Sequence, residues 1–166
     1  MEEKEGGAAI LSSAGFRLGV LGAQITRAFS ARIEGTGLTH KQVGLLAVVD
    51  AGLASSQREI ASRMHVAPSL VVALVDQLVR LGAVRRTRSR TDRRAHIIEI
   101  TAEGRRLLAL GADAARRLDA ELRASLSPAG RAALDEFLAE SAGLLGPAGL
   151  DESVERSLPS ADAGGG

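Results

Sequence analysis

The chain has 166 residues, a formal net charge of +1 and no cysteine, a length that suits one domain or two small lobes sharing a core. The missing thiols exclude disulfides, thiolate metal sites and cysteine redox switches, and three Phe as the only aromatic residues disfavour a reader of single-stranded nucleic acid, which needs stacking platforms. The start, Met1-Glu2-Glu3-Lys4-Glu5, is acidic where a secretory signal is basic, and no run approaches the ~20 apolar residues of a membrane span, so a soluble, cytoplasmic protein with no membrane partner is expected.

Residues 1–7 read as a flexible N-terminus. From Ala8 to about Glu34, Ile10, Ala14, Leu18, Leu21, Ile25 and Phe29 return at helical spacing, and Phe16, Val20 and Ala28 widen the apolar face. A helix so apolar is usually enclosed by neighbours or by a second subunit. Gly35-Thr36-Gly37 ends it. Thr39-His40-Lys41-Gln42 and Ser56-Gln57-Arg58-Glu59 are capping-box patterns, each opening a short helix. A tight link, His65-Val66-Ala67, leads to Pro68, which suits the first position of a helix running to about Leu81 with Val71, Leu74, Val75 and Leu78 on one face. His65 stands at a turn position where Gly is common, which gives it a backbone role.

After Gly82 the period changes from helical to alternating, and Ala83–Thr87 and Ala95–Ile100 are predicted strands around a polar loop. Thr101 caps a helix from Ala102 to about Ser125 that places Leu107, Leu110 or Gly111, Ala114, Leu118 and Leu122 on one side. Ser127-Pro128 opens a last helix, ended by Gly146-Pro147. Residues 147–166 carry Pro, Ser, Gly and acids with almost no apolar periodicity and read as a disordered tail.

The fold class is therefore mainly α with a small β-hairpin: a winged helix-turn-helix flanked by long dimerisation helices. The organisation expected is an N-terminal dimerisation helix over 8–36, a winged helix-turn-helix over 37–101 and C-terminal dimerisation helices over 102–146. Charge supports double-stranded DNA as the partner. Between Arg85 and Arg94 there are six arginines and one acid. The second helix of the motif can lie in a major groove, and an arginine-tipped hairpin can reach the adjacent minor groove, where a narrow groove concentrates negative potential. The flanking apolar helices would be buried by a twin subunit, setting two reading heads about 34–36 Å apart.

Three stretches in register, "GLTHKQVGLLAVV" (37–49), "SQREIASRMHVAPSLVVALVDQLVRLGAV" (56–84) and "RRTRSRTDRRAHIIEIT" (85–101), resemble the MarR family of transcriptional regulators, a similarity covering roughly residues 8–145. The resemblance implies a homodimer that occupies a palindromic operator, most simply as a repressor. It also implies that Arg94 enters the minor groove while Asp92 fixes the wing or orients that arginine. Arg90 and Arg93 are then phosphate contacts, which add affinity without sequence information, and Arg86 matches a basic position on the first strand of the wing.

The outward positions of the reading helix, Ala67, Pro68, Ser69, Leu70, Val72 and Ala73, depart from the Ser, Thr and Arg frequent in the family. Only Ser69 can hydrogen-bond a base through its side chain, so thymine-methyl contacts from Leu70 or Val72 and reliance on DNA shape are expected. Ala67 offers no capping side chain, which leaves the helix N-terminus open to a phosphate.

Relatives hold small aromatic acids between the dimer helices and the winged lobe, so the resemblance also implies a small aromatic or acidic effector. Arg17, Gln24 and Arg27 on the first helix and His40 on the second are the polar candidates; solvated surface or dimer ion pairs is the competing assignment. His40, His65 and His96 fall on different elements with no close acid, so no metal is expected, nor any other cofactor. No nucleophile–base pair, phosphate loop or paired-carboxylate signature marks an enzyme. A winged-helix module that binds protein instead of DNA is the alternative function.

Overall fold

The structure is a computed structural model that describes residues 2–88 and 96–144. Its elements are α1 (Glu2–Ser12), α2 (Ala14–Ile33), a 3-10 turn (Glu34–Thr36), α3 (His40–Asp50), α4 (Gln57–Arg63), α5 (Pro68–Arg80), β1 (Val84–Arg88), β2 (His96–Ile100), α6 (Ala102–Ala124) and α7 (Pro128–Leu144). A mainly helical chain with one antiparallel hairpin is the class expected from the change of period.

The N-terminal helix differs from expectation in its start and in its continuity. Helix runs back to Glu2, and the single segment read from Ala8 to Glu34 is two helices, bent by 56° across Ser13. The cause is local. The Ser13 hydroxyl donates to the Ile10 carbonyl at 2.8 Å and accepts from the Phe16 amide at 3.3 Å, so one side chain serves the end of α1 and the start of α2. Apolar periodicity runs through the break and cannot reveal it. Among the described residues no single helix is long and apolar enough to cross a membrane.

Both capping boxes form. Thr39 accepts from the Gln42 amide while Gln42 accepts from the Thr39 amide, and Ser56 and Glu59 do the same, which fixes where α3 and α4 begin. His65 takes φ 50° in the turn between α4 and α5, the left-handed conformation that its Gly-like position suggested. At the end of α5, Gly82 has φ 67°, and the amides of Gly82 and Ala83 donate to Val79 and Leu78 at 2.9 Å each. That is the Schellman pattern, which turns the chain sharply from helix into β1.

The core lies inside the winged lobe. Ile33, Leu45, Leu46, Ile60, Val71, Val75, Leu78 and Ile98 are almost wholly enclosed, so α2, α3, α4, α5 and β2 each commit a residue to one cluster. Each such side chain contributes about 1.5–3 kcal/mol on burial. From α6, Leu107, Gly111 and Ala114 are buried while Leu118 and Leu122 are half-buried and Leu110 is exposed, which settles the Leu110-or-Gly111 choice for the glycine. Gly111 is needed there because a Cβ would stand 2.7 Å from Val43 Cγ1.

Outside this cluster, Ile10, Leu11, Phe16, Leu18, Val20 and Leu21 on α1 and α2, and Phe137 and Leu138 on α7, are exposed by 43% or more. The subunit leaves these faces unpacked.

Candidate nucleic-acid interface

α5 is held from behind. Val71, Leu74, Val75 and Leu78 are buried, and the opposite face presents Pro68, Ser69, Val72 and Ala73 to solvent. Val72 is 42% exposed. Leu70, grouped with the outward residues by sequence, is half-buried and packs against the core, because one turn after Ala67 its side chain falls on the edge of the buried stripe. Ala67 sits at the N-cap with no side-chain hydrogen bond.

The hairpin is anchored at three places. Its register pairs Val84 with Ile100, Arg85 with Glu99, Arg86 with Ile98 and Arg88 with His96. The Ile98 amide donates to Ser55 O at 2.8 Å, which joins β2 to the α3–α4 connection. In that connection the Glu59 carboxylate accepts from the amides of Ser55 and Ser56, both at 3.0 Å. Those backbone hydrogen bonds hold the Glu59 carboxyl below its ordinary pKa. At the base, Thr101 Oγ1 donates to Gly82 O at 2.6 Å and accepts from the Gly104 amide at 3.0 Å, and the Thr101 amide donates to Ala83 O at 3.0 Å. α6 therefore starts directly on the junction between the reading helix and the wing.

Arg86, on β1, donates from Nη2 to Asp76 Oδ1 of α5 at 2.5 Å, tying wing and reading helix together. Asp76 was not singled out by sequence, although it is the only acid in α5 and an arginine-rich strand follows it. Arg85 pairs with Glu99 across the hairpin at 2.7 Å, so it is partly neutralised. Arg88 is exposed at the open end of β1. Arg90, Asp92, Arg93 and Arg94 lie outside the described residues.

The four effector candidates separate. Arg27 and His40 line one cleft of about 820 Å³, with Ser30, Lys41 and, from α5, Leu74 and Gln77. Arg17 borders a different hollow of about 450 Å³ beside Leu18 and Leu21, and Gln24 lines neither. The cleft lies between the end of α2, the start of α3 and the reading helix. Sequence reasoning missed the α5 wall, since Gln77 looks in sequence like any solvated polar position. Among the described residues no three His, Asp or Glu side chains converge as a metal site would need.

The sequence model of the MarR family matches residues 36–95, from the 3-10 turn into the wing. A solved structure of the transcriptional repressor CouR bound to a 23-mer DNA duplex is 32% identical to the chain, superposes with a TM-score of 0.70, and is aligned over 78% of this chain and 92% of that one. The chain belongs to the MarR family. CouR from Rhodococcus jostii RHA1 bound to p-coumaroyl-CoA is a second MarR-like neighbour, at 26% identity and TM-score 0.66 over 78% of this chain and 91% of that one. A Thauera aromatica protein assigned to transcriptional regulation of the hcr operon is 36% identical over 109 residues, 65% of this chain and 66% of that protein. For this MarR-family chain, the structural similarity, at 78% of its length, extends beyond the residues 36–95 that the family model matches.

Proposed function

We propose that the protein is a homodimeric, sequence-specific regulator of transcription that binds double-stranded DNA as a repressor and leaves it when a small aromatic or acidic effector occupies the cleft beside α5. The carrying observation is the division of α5 into two faces. One is locked into the core by Val71, Leu74, Val75 and Leu78, and the other leaves Ser69, Val72 and Ala73 open beside a hairpin tied to it by Asp76 and Arg86. A rigid helix with an open face next to a basic hairpin has the geometry for major-groove entry.

Ser69 is the one side chain on that face able to hydrogen-bond a base, and Val72 is placed to meet a thymine methyl. Leu70 reaches DNA only with the exposed part of its side chain, and Ala67 and Pro68 present the helix N-terminus to a phosphate. In the wing, Arg94 enters the minor groove with Asp92 orienting it, and Arg90, Arg93 and the free N–H groups of Arg86 meet phosphates. The exposed apolar faces of α1, α2 and α7 pair with a twin subunit. Binding and release, not catalysis, are the activity. Two relatives named CouR, one bound to a DNA duplex and the other, from Rhodococcus jostii RHA1, bound to p-coumaroyl-CoA, support the two halves of this reading, with an aromatic acid or its coenzyme A thioester as effector and Arg27, His40 and Lys41 on its rim.

Selection of duplexes from a random library tests it. The expected product is a palindrome with half-sites one helical turn, about 10–10.5 base pairs, apart. Recovery of no enriched sequence, with affinity indifferent to salt, would favour a protein-binding module.

A further inference from the structure

The reading helix forms one wall of the cleft, and a single side chain on that wall has its hydrogen-bonding polarity fixed from behind. Gln42 is buried, and its Oε1 accepts from the Thr39 amide at 2.8 Å. A backbone N–H can only donate, so the other end of that amide, Nε2, must be the donor toward Gln77. It meets Gln77 Oε1 at 2.8 Å. Gln77 Oε1 is thereby used, and Gln77 Nε2 keeps its two N–H groups on the exposed side of α5, where that residue lines the cleft.

We propose that Gln77 is the effector-sensing residue of the reading helix: its Nε2 donates to an acyl oxygen of the cleft occupant, either the carboxylate of an aromatic acid or the carbonyl of the corresponding thioester. This rests on the reading that the cleft takes an effector. Arg27 and Lys41 supply positive charge for an anionic group, whereas Gln77 supplies the only contact from α5 that is directional, since Leu74 is apolar. The occupant then bridges α2, the start of α3 and α5. Because Gln77 belongs to the helix that enters the groove, an occupant gripping it has different affinities for the DNA-bound and released positions of α5, which is the condition for coupling.

The full chain is titrated by calorimetry with p-coumarate and with p-coumaroyl-CoA, alone and with its selected duplex. Calorimetry is the suitable method because the chain has no Trp or Tyr. Gln77→Glu keeps an acceptor for Gln42 Nε2 and removes the donor to the cleft; Gln77→Leu removes the donor without adding charge. The expected result is that Gln77→Glu melts near the wild-type temperature while Gln77→Leu, which leaves buried Gln42 Nε2 without its acceptor, melts a few degrees lower; both bind duplex, yet lose at least about tenfold in affinity for whichever probe the wild type binds. Which probe that is distinguishes free acid from thioester. If Gln77→Leu binds it within twofold of wild type while Arg27→Ala does not, the cleft reading stands and the Gln77 assignment is overturned. If the wild type binds neither probe, both fall.

Discussion

Replacing Gly104 with Ala tests how α6 is seated on the wing. In an ordinary helix interior the change would stabilise by about 1 kcal/mol. Here the added Cβ would stand 2.0 Å from Ala83 O and 2.7 Å from Ile100 Cγ1. Ordinary contact begins at 3.4 Å, so the Ala83 carbonyl must retreat by about 1.4 Å (3.4 less 2.0) or α6 must lift by as much. That carbonyl accepts from the Thr101 amide at 3.0 Å, and a shift of this size breaks that hydrogen bond; the Thr101 hydroxyl, which has one proton and donates it mainly to Gly82 O, keeps its partner. One lost hydrogen bond at about 1 kcal/mol, with overpacking of about 1–3 kcal/mol, exceeds the helix gain and leaves a net loss of about 1–3 kcal/mol. For a chain of this size the melting temperature should fall by roughly 2–12 °C. Gly44→Ala is the control, because its Cβ meets only Met64 Cε, at 3.7 Å, and it should melt at or slightly above wild type. Thermal denaturation by circular dichroism reads both. A Gly104→Ala protein as stable as wild type would refute the close seating of α6 on the α5–β1 junction.

The remaining predictions concern the interfaces and acid stability. Leu21→Glu places a charge on an apolar face exposed in the subunit, so sedimentation should show folded monomers; a persisting dimer would move the interface elsewhere. Leu118 and Leu122 are less suitable targets, since both are half-buried within the subunit. Arg86→Ala should make the logarithmic salt dependence of duplex affinity shallower by about 0.9, one phosphate contact, while costing at most about 1 kcal/mol of stability through its partly exposed pair with Asp76; an unchanged slope removes Arg86 from the DNA contacts. Glu59 has its pKa lowered by the amides of Ser56 and Ser55, so its stabilisation is complete above the unfolded value near 4.5 and is lost as pH falls through the lower folded one. Gln in its place should flatten the acid limb of melting temperature against pH. Glu103, held low by Arg106, and Asp135, held low by Arg123, keep the same sign in both proteins, so an identical limb would place the acid sensitivity with them.

Local signals carried most of the fold. Both capping boxes, Pro68 at the start of α5, the Gly82 stop and the alternation in β2 are each written within a few residues, and each occurs where its chemistry requires. The stripe Val71, Leu74, Val75 and Leu78 likewise identified the buried side of the reading helix. The features that escaped depend on distance in sequence. The bend at Ser13 turns on one hydroxyl serving two helix ends, which periodicity averages away. Ser55 pairing with Ile98, Asp76 with Arg86 and Gln42 with Gln77 join residues far apart in the chain, and nothing local marks them. Leu70 is outward only in part because a helical face has edges, and a residue at the edge is divided between core and solvent. Arg17 and Gln24 share a helix with Arg27, yet a cleft closed by α3 and α5 can include only the end of α2.

The most direct measurement is the affinity of the Arg94→Ala protein for the selected duplex, by fluorescence anisotropy at several salt concentrations beside wild type. Loss of one specific groove contact should weaken binding by about 1–3 kcal/mol, roughly 5- to 150-fold, and relax preference at the base pairs beneath the wing. Equal affinity and equal sequence preference in the two proteins would contradict a wing arginine in the minor groove and, with it, the assignment of this surface to DNA.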